Sequence, residues 1–304
     1  MVGDFLFYRQ NRVNRVAKLN LDGSLDSNFN ITEGANRVVE AVEGHTNGIL
    51  IGGQFTNYNS ITTINRIIKI DLSGEIDPSF NTGTGFSSTV FDIKTLPDDK
   101  VLVGGSFGTY KGTTALRICR LTDVGDLDPT FDTGSSFGNG SVMALAPLTD
   151  GRVLVGGSFT NFDGQWASRI ISLNPDGSRD TGYDFTTSVG GANGIVWNIL
   201  PLDEGKAFLV GDFTVYKGTT LGRIVRILSD GSIDTSFDSG TGANGLIRRI
   251  YPLLNDRYLL LGAFTEYNGV LANYAIKILS DGTPDPMQDL GYSFNGQLWD
   301  ALID

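Results

Sequence analysis

The chain has 304 residues, 34 acidic against 23 basic side chains, a formal charge of −11, one cysteine and one histidine. That balance argues against a nucleic-acid partner, whose phosphates need a basic footprint, and against docking on an anionic membrane. A lone Cys119 and a lone His45 exclude an intrachain disulfide and a Cys/His zinc site.

From the N-terminus, MVGDFLFY has no basic leader and no cleavage pattern, so no signal peptide is expected. GDFLFY at 3–8 reads as the end of a strand and the loop after it. RVAKL at 15–19 reads as a short strand and DGSLDSNF at 22–29 as a turn. All three signatures then recur. The glycine-F-x-x-aromatic pattern returns as GGQFTNY, GGSFGTY, GGSFTNF, GDFTVY and GAFTEY, with its later phenylalanines at Phe55, Phe107, Phe159, Phe213 and Phe264. Arg15, Arg66, Arg117, Arg169 and Arg223 each open a short apolar run, and Tyr274 takes that place in the sixth copy. The D-G-x-x-D turns, whose first Asp is displaced in the copies SGEID and VGDLD, place their second aspartates at Asp26, Asp77, Asp128, Asp180, Asp234 and Asp285, 51 to 54 residues apart.

Between these signatures lie runs such as VMALAPL and VLVGGSF, joined by TDGR, a hairpin signal between apolar runs. No segment keeps a helical period or approaches the roughly 18 apolar residues of a membrane helix. Four short strands in about 50 residues make one propeller blade. The chain starts in the middle of a repeat, and NGQLWDALID at its end is similar to NGLIRRIYPL, the first strand of a copy. The expectation is therefore an all-β, six-bladed β-propeller of four-stranded blades, forming a single domain over 1–304. Its ring is closed by a blade made from about 1–30 plus 294–304, which removes exposed sheet edges.

The segment DGRVLVGGSF at 150–159 and the stretch from Arg223 to Asp234 resemble the bacterial delta-sixty repeat, a β-propeller family. The resemblance runs along essentially the whole chain. It implies a propeller fold, modules of secreted bacterial surface proteins and phage structural proteins, and no catalytic residue. Tyr274 and the missing aromatic after Asp285 depart from the pattern.

The repeated aspartates have two readings. In the architectural one, Asp-Gly forms a tight turn and the second Asp caps the next one. In the other, paired carboxylates hold calcium; the D-x-[DN]-x-[DN]-G order of a calcium loop is absent, and no cofactor is expected. The arginines either line a channel for anions or tie each strand to a neighbouring carbonyl or carboxylate. The glycine pairs lack the Lys-Ser/Thr and the helix of a phosphate loop.

A catalytic triad would have to use His45, which reads as a solvated turn residue, and Cys119 reads as a buried small hydrophobe. The sialidase S-x-D-x-G-x-T-W boxes are absent, so no enzyme is expected. Binding is expected in the variable loop after F-x-x-Y, at Trp166 and Gln165, with Tyr58, Tyr110, Tyr216 and Tyr267 as further contacts. Trp197 and Trp299 fall on first strands. The leading expectation is a structural or binding component of a phage virion, at a virion or extracellular surface. Its partners would be other subunits of an assembly or surface glycans, with no nucleic acid and no membrane insertion. The alternatives are a propeller from a secreted bacterial surface protein and a glycan-active enzyme.

Overall fold

The computed structural model describes residues 1–29, 31, 33–183 and 190–287. The chain divides into two compact units, Met1–Phe137 and Gly138–Asp304. Both are built from strands. One 3-10 turn, Asp203–Gly205, is the only helical element among the described residues, and no helix there is long and apolar enough to cross a membrane.

Each full repeat is an antiparallel sheet in which the second strand lies between the first and the third. In the first unit these strands are Val39–His45, Gly48–Gly53 and Ile67–Ile70, then Val90–Thr95, Val101–Gly105 and Ile118–Leu121. The second unit repeats the pattern in Val142–Pro147, Val153–Gly157 and Ile170–Leu173, in Val196–Pro201, Ala207–Gly211 and Ile224–Ile227, and in Ile247–Leu253, Arg257–Gly262 and Ala275–Leu279. Residues 1–29 hold one partial repeat, with the bridge Val2↔Val16 and the short ladder Phe7–Tyr8 with Asn11–Arg12.

The four-stranded sheet expected from the sequence is found as three strands and a bridge. The fourth segment pairs at one residue: Leu19↔Leu25, Ile70↔Ile76, Leu121↔Leu127, Leu173↔Arg179, Ile227↔Ile233 and Ile278↔Pro284. The next residue is the second aspartate. Its N–H still bonds the third strand, as from Asp77 to the Lys69 carbonyl at 3.0 Å. Its carboxylate then captures the N–H two residues on, at 2.9 Å from Ser79, and the chain turns away. Residues 294–304, expected to close the ring, lie outside the described residues, as does Trp299.

Among the described residues every first strand carries a bulge, at Val39/Ala41, Val90/Asp92, Val142/Ala144, Val196/Asn198 and Ile247/Arg249. The bulge brings the first strand over the second glycine of the GG pair. A Cβ on Gly53 would sit 2.3 Å from the Val38 carbonyl oxygen, and one on Gly157 2.0 Å from that of Ser141. The first glycine of the pair makes room for the next repeat, since a Cβ on Gly156 would meet Val196 Cγ1 at 2.7 Å.

Within each unit the cores form between successive repeats. Leu50 and Ile67 of one repeat pack with Val90, Ile93, Val101 and Phe107 of the next. Leu154 and Ile170 pack in the same way with Val196, Ile199 and Leu209. Phe55, Phe107, Phe159, Phe213 and Phe264 are fully buried, each contributing about 2–3 kcal/mol of transfer free energy.

Gly157→Ala is expected to cost about 1–3 kcal/mol through backbone overlap, seen as a lower urea midpoint. Gly108→Ala, where the nearest atom is Ser87 Oγ at 4.0 Å, is expected to stay within about 0.5 kcal/mol of the parent. Equal midpoints for the two variants would contradict the packing described.

Candidate functional site

The repeated polar residues hold the scaffold. Oδ2 of each second aspartate pairs with a cation of its own sheet: Asp26 with Lys18 at 2.9 Å, Asp77 with Lys69 at 2.8 Å, Asp128 with Arg120 at 2.7 Å, Asp180 with Arg152 at 2.8 Å, Asp234 with Arg226 at 2.8 Å and Asp285 with Arg257 at 3.3 Å. The first aspartates Asp22, Asp176, Asp230 and Asp281 accept the N–H and hydroxyl of the Ser or Thr two residues on, and Asp71, two residues ahead of that position in its copy, accepts from Ser73 in the same way. The two carboxylates of a turn therefore face different partners. Among the described residues no three His, Cys, Asp or Glu side chains group as metal ligands.

The arginines that open the third strands stand at positive φ, from 64° at Arg169 to 75° at Arg15, with Arg117 at 66° and Tyr274 at 75°. This conformation lets the Arg66 N–H reach the Phe55 carbonyl at 2.8 Å while its own carbonyl accepts from Gly53 at 3.0 Å. The side chains cross to the next repeat. Arg15 donates to the Ala35 carbonyl at 3.0 Å, Arg66 to Phe86 at 2.7 Å, Arg169 to Ala192 at 3.1 Å and Arg223 to Ala243 at 2.6 Å.

Tyr58, Tyr110, Tyr216 and Tyr267, expected as ligand contacts, are buried and unavailable to a ligand. The two-residue ladders at Tyr110, Tyr216 and Tyr267, and the isolated bridge Tyr58↔Ile61, hold the rings facing inward. The hydroxyls donate to the glycine carbonyl of the Asp-Gly-type turn, Tyr58 to Gly74 at 3.0 Å, Tyr110 to Gly125 at 2.7 Å, Tyr216 to Gly231 at 2.8 Å and Tyr267 to Gly282 at 3.0 Å. Burial pushes all four hydroxyl pKa values far up. His45 differs from the expected solvated residue: it is half-buried, edge-on to Phe80 at 5.7 Å, with Nε2 3.0 Å from the Asp99 carbonyl. Cys119 is a buried free thiol, and burial raises its pKa well above the usual range.

One repeat breaks the pattern. In the fourth, Phe162 stands where the others have tyrosine, and Arg179 stands where they have Leu25, Ile76, Leu127, Ile233 or Pro284. The Arg179 guanidinium lies 5.7 Å from the centroid of the Phe162 ring and donates through Nη2 to the carbonyls of Phe162 at 3.3 Å and Trp166 at 3.2 Å. Burial lowers its pKa, and the charge of Asp163 opposes that. Its Nη1 is buried without a hydrogen-bond partner among the described residues.

Above it, Asn161–Phe162 pairs with Gln165–Trp166 across Asp163 and Gly164, which have φ of 48° and 73°. Gln165 is exposed. Trp166 is 43% exposed, and its Nε1 donates to Ser168 Oγ at 2.6 Å, which fixes the indole while part of its surface stays open. Trp166 and Gln165 thus share one rigid hairpin, away from the inward-facing tyrosines. Arg179 was missed by sequence reasoning, although DGSRD against DGSID marked it. Also missed were Asn36, Asn139, Asn193 and Asn244, which clamp the F-T segments; Asn193 Oδ1 accepts from Thr214 N at 2.8 Å and its Nδ2 donates to Thr214 Oγ1 at 3.1 Å.

Repeated sheets with a bulged first strand define an all-β, propeller-like protein of about six repeats. The chain belongs to the family described as a domain of unknown function (DUF5122) beta-propeller, matched at 2–29, 47–80, 96–131, 148–183, 205–237 and 255–286. This corrects the assignment to the delta-sixty repeat. Each of the five later matched segments runs from the first-strand turn or second strand to the residue at or near the end of the D-x-x-aromatic turn. The motifs behind the resemblance are therefore this propeller scaffold itself, under another family name.

No curated protein matches the chain in sequence. Among solved structures, the WD40 β-propeller domain of Doa1 is similar at TM-score 0.50 and 15% identity, over 81% of this chain and 74% of that one. A protein of unknown function from Bacteroides caccae gives 0.47 and 14%, over 81% and 80%. A streptogramin B lyase gives 0.46 and 14%, over 85% and 72%. At these identities the likeness concerns the fold alone.

The aspartate pairs set an acid limit. Hydrogen bonds from Lys69 and Ser79 hold Asp77 down at about 2; at Asp234 burial works upward and is outweighed by bonds from Ser236 and Arg226, again giving about 2. A depressed carboxylate contributes stability that is present above the ordinary value near 4 and lost as pH falls through the folded value. Thermal melts should hold from pH 7 to about 4.5 and drop between pH 4 and 2. The drop should be shallower in an Asp77→Asn/Asp234→Asn double variant; an unchanged drop would contradict this account.

Proposed function

We propose that this protein is a non-enzymatic recognition propeller that works at an extracellular surface and binds surface glycans through the Trp166 hairpin. The observation that carries this reading is the half-exposed indole. It is locked by Ser168, stands beside exposed Gln165, and belongs to the one repeat whose interior is rebuilt around Arg179. A fixed aromatic face next to an amide donor and acceptor suits stacking on a sugar ring with a hydrogen bond to its hydroxyls. The non-enzymatic reading is supported by the repeat aspartates, whose oxygens are occupied by turn N–H groups and cations of their own sheets. A phage virion draws no support from the family or the similar structures. Binding through Trp166 requires only that the hairpin face solvent.

The full architecture proposed is a six-bladed ring closed by residues 294–304. In support, the first repeat has no first strand of its own among the described residues, and NGQLWDALID has the pattern of the strand it lacks. Deleting 294–304 should lower the urea midpoint sharply; an unchanged midpoint would remove this closure.

Labelled protein should bind extracted bacterial surface polysaccharide saturably. Trp166→Ala should weaken binding by about 2 kcal/mol, some 30-fold, and Trp166→Phe by less. Binding that is unchanged in Trp166→Ala, or no binding to any polysaccharide of a broad panel, would overturn the glycan reading.

A further inference from the structure

The fourth repeat departs from the others at two positions that lie against each other. In the other five a tyrosine ties the hairpin after the F-x-x-Y phenylalanine to the turn that follows the third strand. Tyr8, Tyr58, Tyr110, Tyr216 and Tyr267 each donate to the carbonyl of a turn glycine, at distances from 2.6 to 3.0 Å. The residue two places after that glycine is apolar, as Leu25, Ile76, Leu127, Ile233 or Pro284. In the fourth repeat Phe162 has no hydroxyl to give to Gly177, and Arg179, two places after Gly177, supplies a donor from the opposite side.

The reversal changes what is tied. Each tyrosine stands on the first arm of its hairpin and holds that arm. Arg179 Nη2 carries two N–H groups and bonds one carbonyl on each arm, Phe162 at 3.3 Å and Trp166 at 3.2 Å. The residue with the exposed ring is therefore held twice. Its carbonyl accepts from Arg179, and its indole Nε1 donates to Ser168 Oγ at 2.6 Å. The arrangement is costly. Burial works against the guanidinium charge, and Nη1 is buried without a hydrogen-bond partner among the described residues. An aliphatic side chain at this place avoids both penalties. A local rule broken at a cost, in the repeat that carries the exposed tryptophan, points to a gain in function there.

We infer that Arg179 is a positioning residue for the Trp166 site, holding the indole in its binding orientation before a ligand arrives. The effect on affinity rests on the glycan reading of this hairpin; the effect on the indole does not. A ring fixed in advance loses less freedom when a sugar stacks on it. The guanidinium acts through the Trp166 backbone and does not touch the ligand.

The test returns the fourth repeat to the common pattern. Phe162→Tyr/Arg179→Ile installs the residues found at these places in the second and fifth repeats, Tyr58 with Ile76 and Tyr216 with Ile233. The full chain is labelled with 5-fluorotryptophan and followed by fluorine NMR, the Trp166 resonance being assigned by its loss in Trp166→Phe. In the double variant that resonance should move toward the position of the free amino acid. Affinity for surface polysaccharide should fall about threefold to tenfold, with a thermal midpoint no lower than the parent's. Arg179→Lys should lie between parent and double variant. Arg179→Met, which keeps the stem against Phe162 and removes the donors, replaces the double variant if that one does not fold. An unmoved Trp166 resonance in a folded variant would overturn the proposal, as would unchanged affinity where the parent binds. If the parent binds no polysaccharide, the glycan reading falls and the resonance alone decides whether Arg179 positions the indole.

Discussion

In every repeat the second aspartate accepts the N–H two residues on through Oδ1 and holds a cation of its own sheet through Oδ2. These two contacts end the fourth segment after a single bridge and turn the chain toward the next repeat. The aromatic residue three places on then enters the neighbouring core: Phe80 joins Val90 and Phe107, Tyr183 joins Val196 and Phe213, and Phe237 joins Ile247 and Phe264. The backbone follows, with Asn81 N–H on the Val124 carbonyl at 3.0 Å and Asp238 N–H on the Asp281 carbonyl at 2.8 Å. One carboxylate therefore couples the edge of a sheet to the packing of the sheet after it. Because the carboxylate is charged and paired with a cation, that coupling depends on pH.

A scaffold built this way leaves few polar atoms for chemistry. The hydroxyls of Tyr58, Tyr110, Tyr216 and Tyr267, the second aspartates of the turns and the side chains of Arg15, Arg66, Arg169 and Arg223 each have a partner from the repeat pattern. Departures from the repeat are thus where function can sit. Replacing tyrosine by Phe162 removes the hydroxyl that elsewhere bonds the turn glycine, and Arg179 fills the neighbouring position with a guanidinium that braces the Phe162 and Trp166 carbonyls. Trp197, with the Arg248 guanidinium stacked on its ring, is a second departure.

The 51-to-54-residue period of the aspartates, the GG pairs and the Asp-Gly turns made the all-β repeat architecture legible, because each motif has a local cause. Asp-Gly favours a turn by its own backbone preference, and glycine is needed wherever a bulged strand crosses it. The direction of the tyrosines was not legible. F-x-x-Y next to a variable polar loop reads equally well with the ring out or in, and only the hairpin with positive φ at both central residues folds it onto the Gly74, Gly125, Gly231 and Gly282 carbonyls. His45 was misplaced for a related reason: its turn is polar in sequence, while Phe80, 35 residues on, lies against its ring.

The sequence by itself determined the repeat and the strand and turn order within it, since these follow from local pattern and short-range backbone preference. The tertiary structure decided the rest. It reduced the fourth strand to a bridge, turned the tyrosines inward, sent the arginines to the carbonyls of the next repeat, and set Arg179 beneath Trp166 and Arg248 on Trp197. The bridge apart, those outcomes depend on which residues 13 to 51 positions apart in the chain meet in space, and packing, not local preference, selects them.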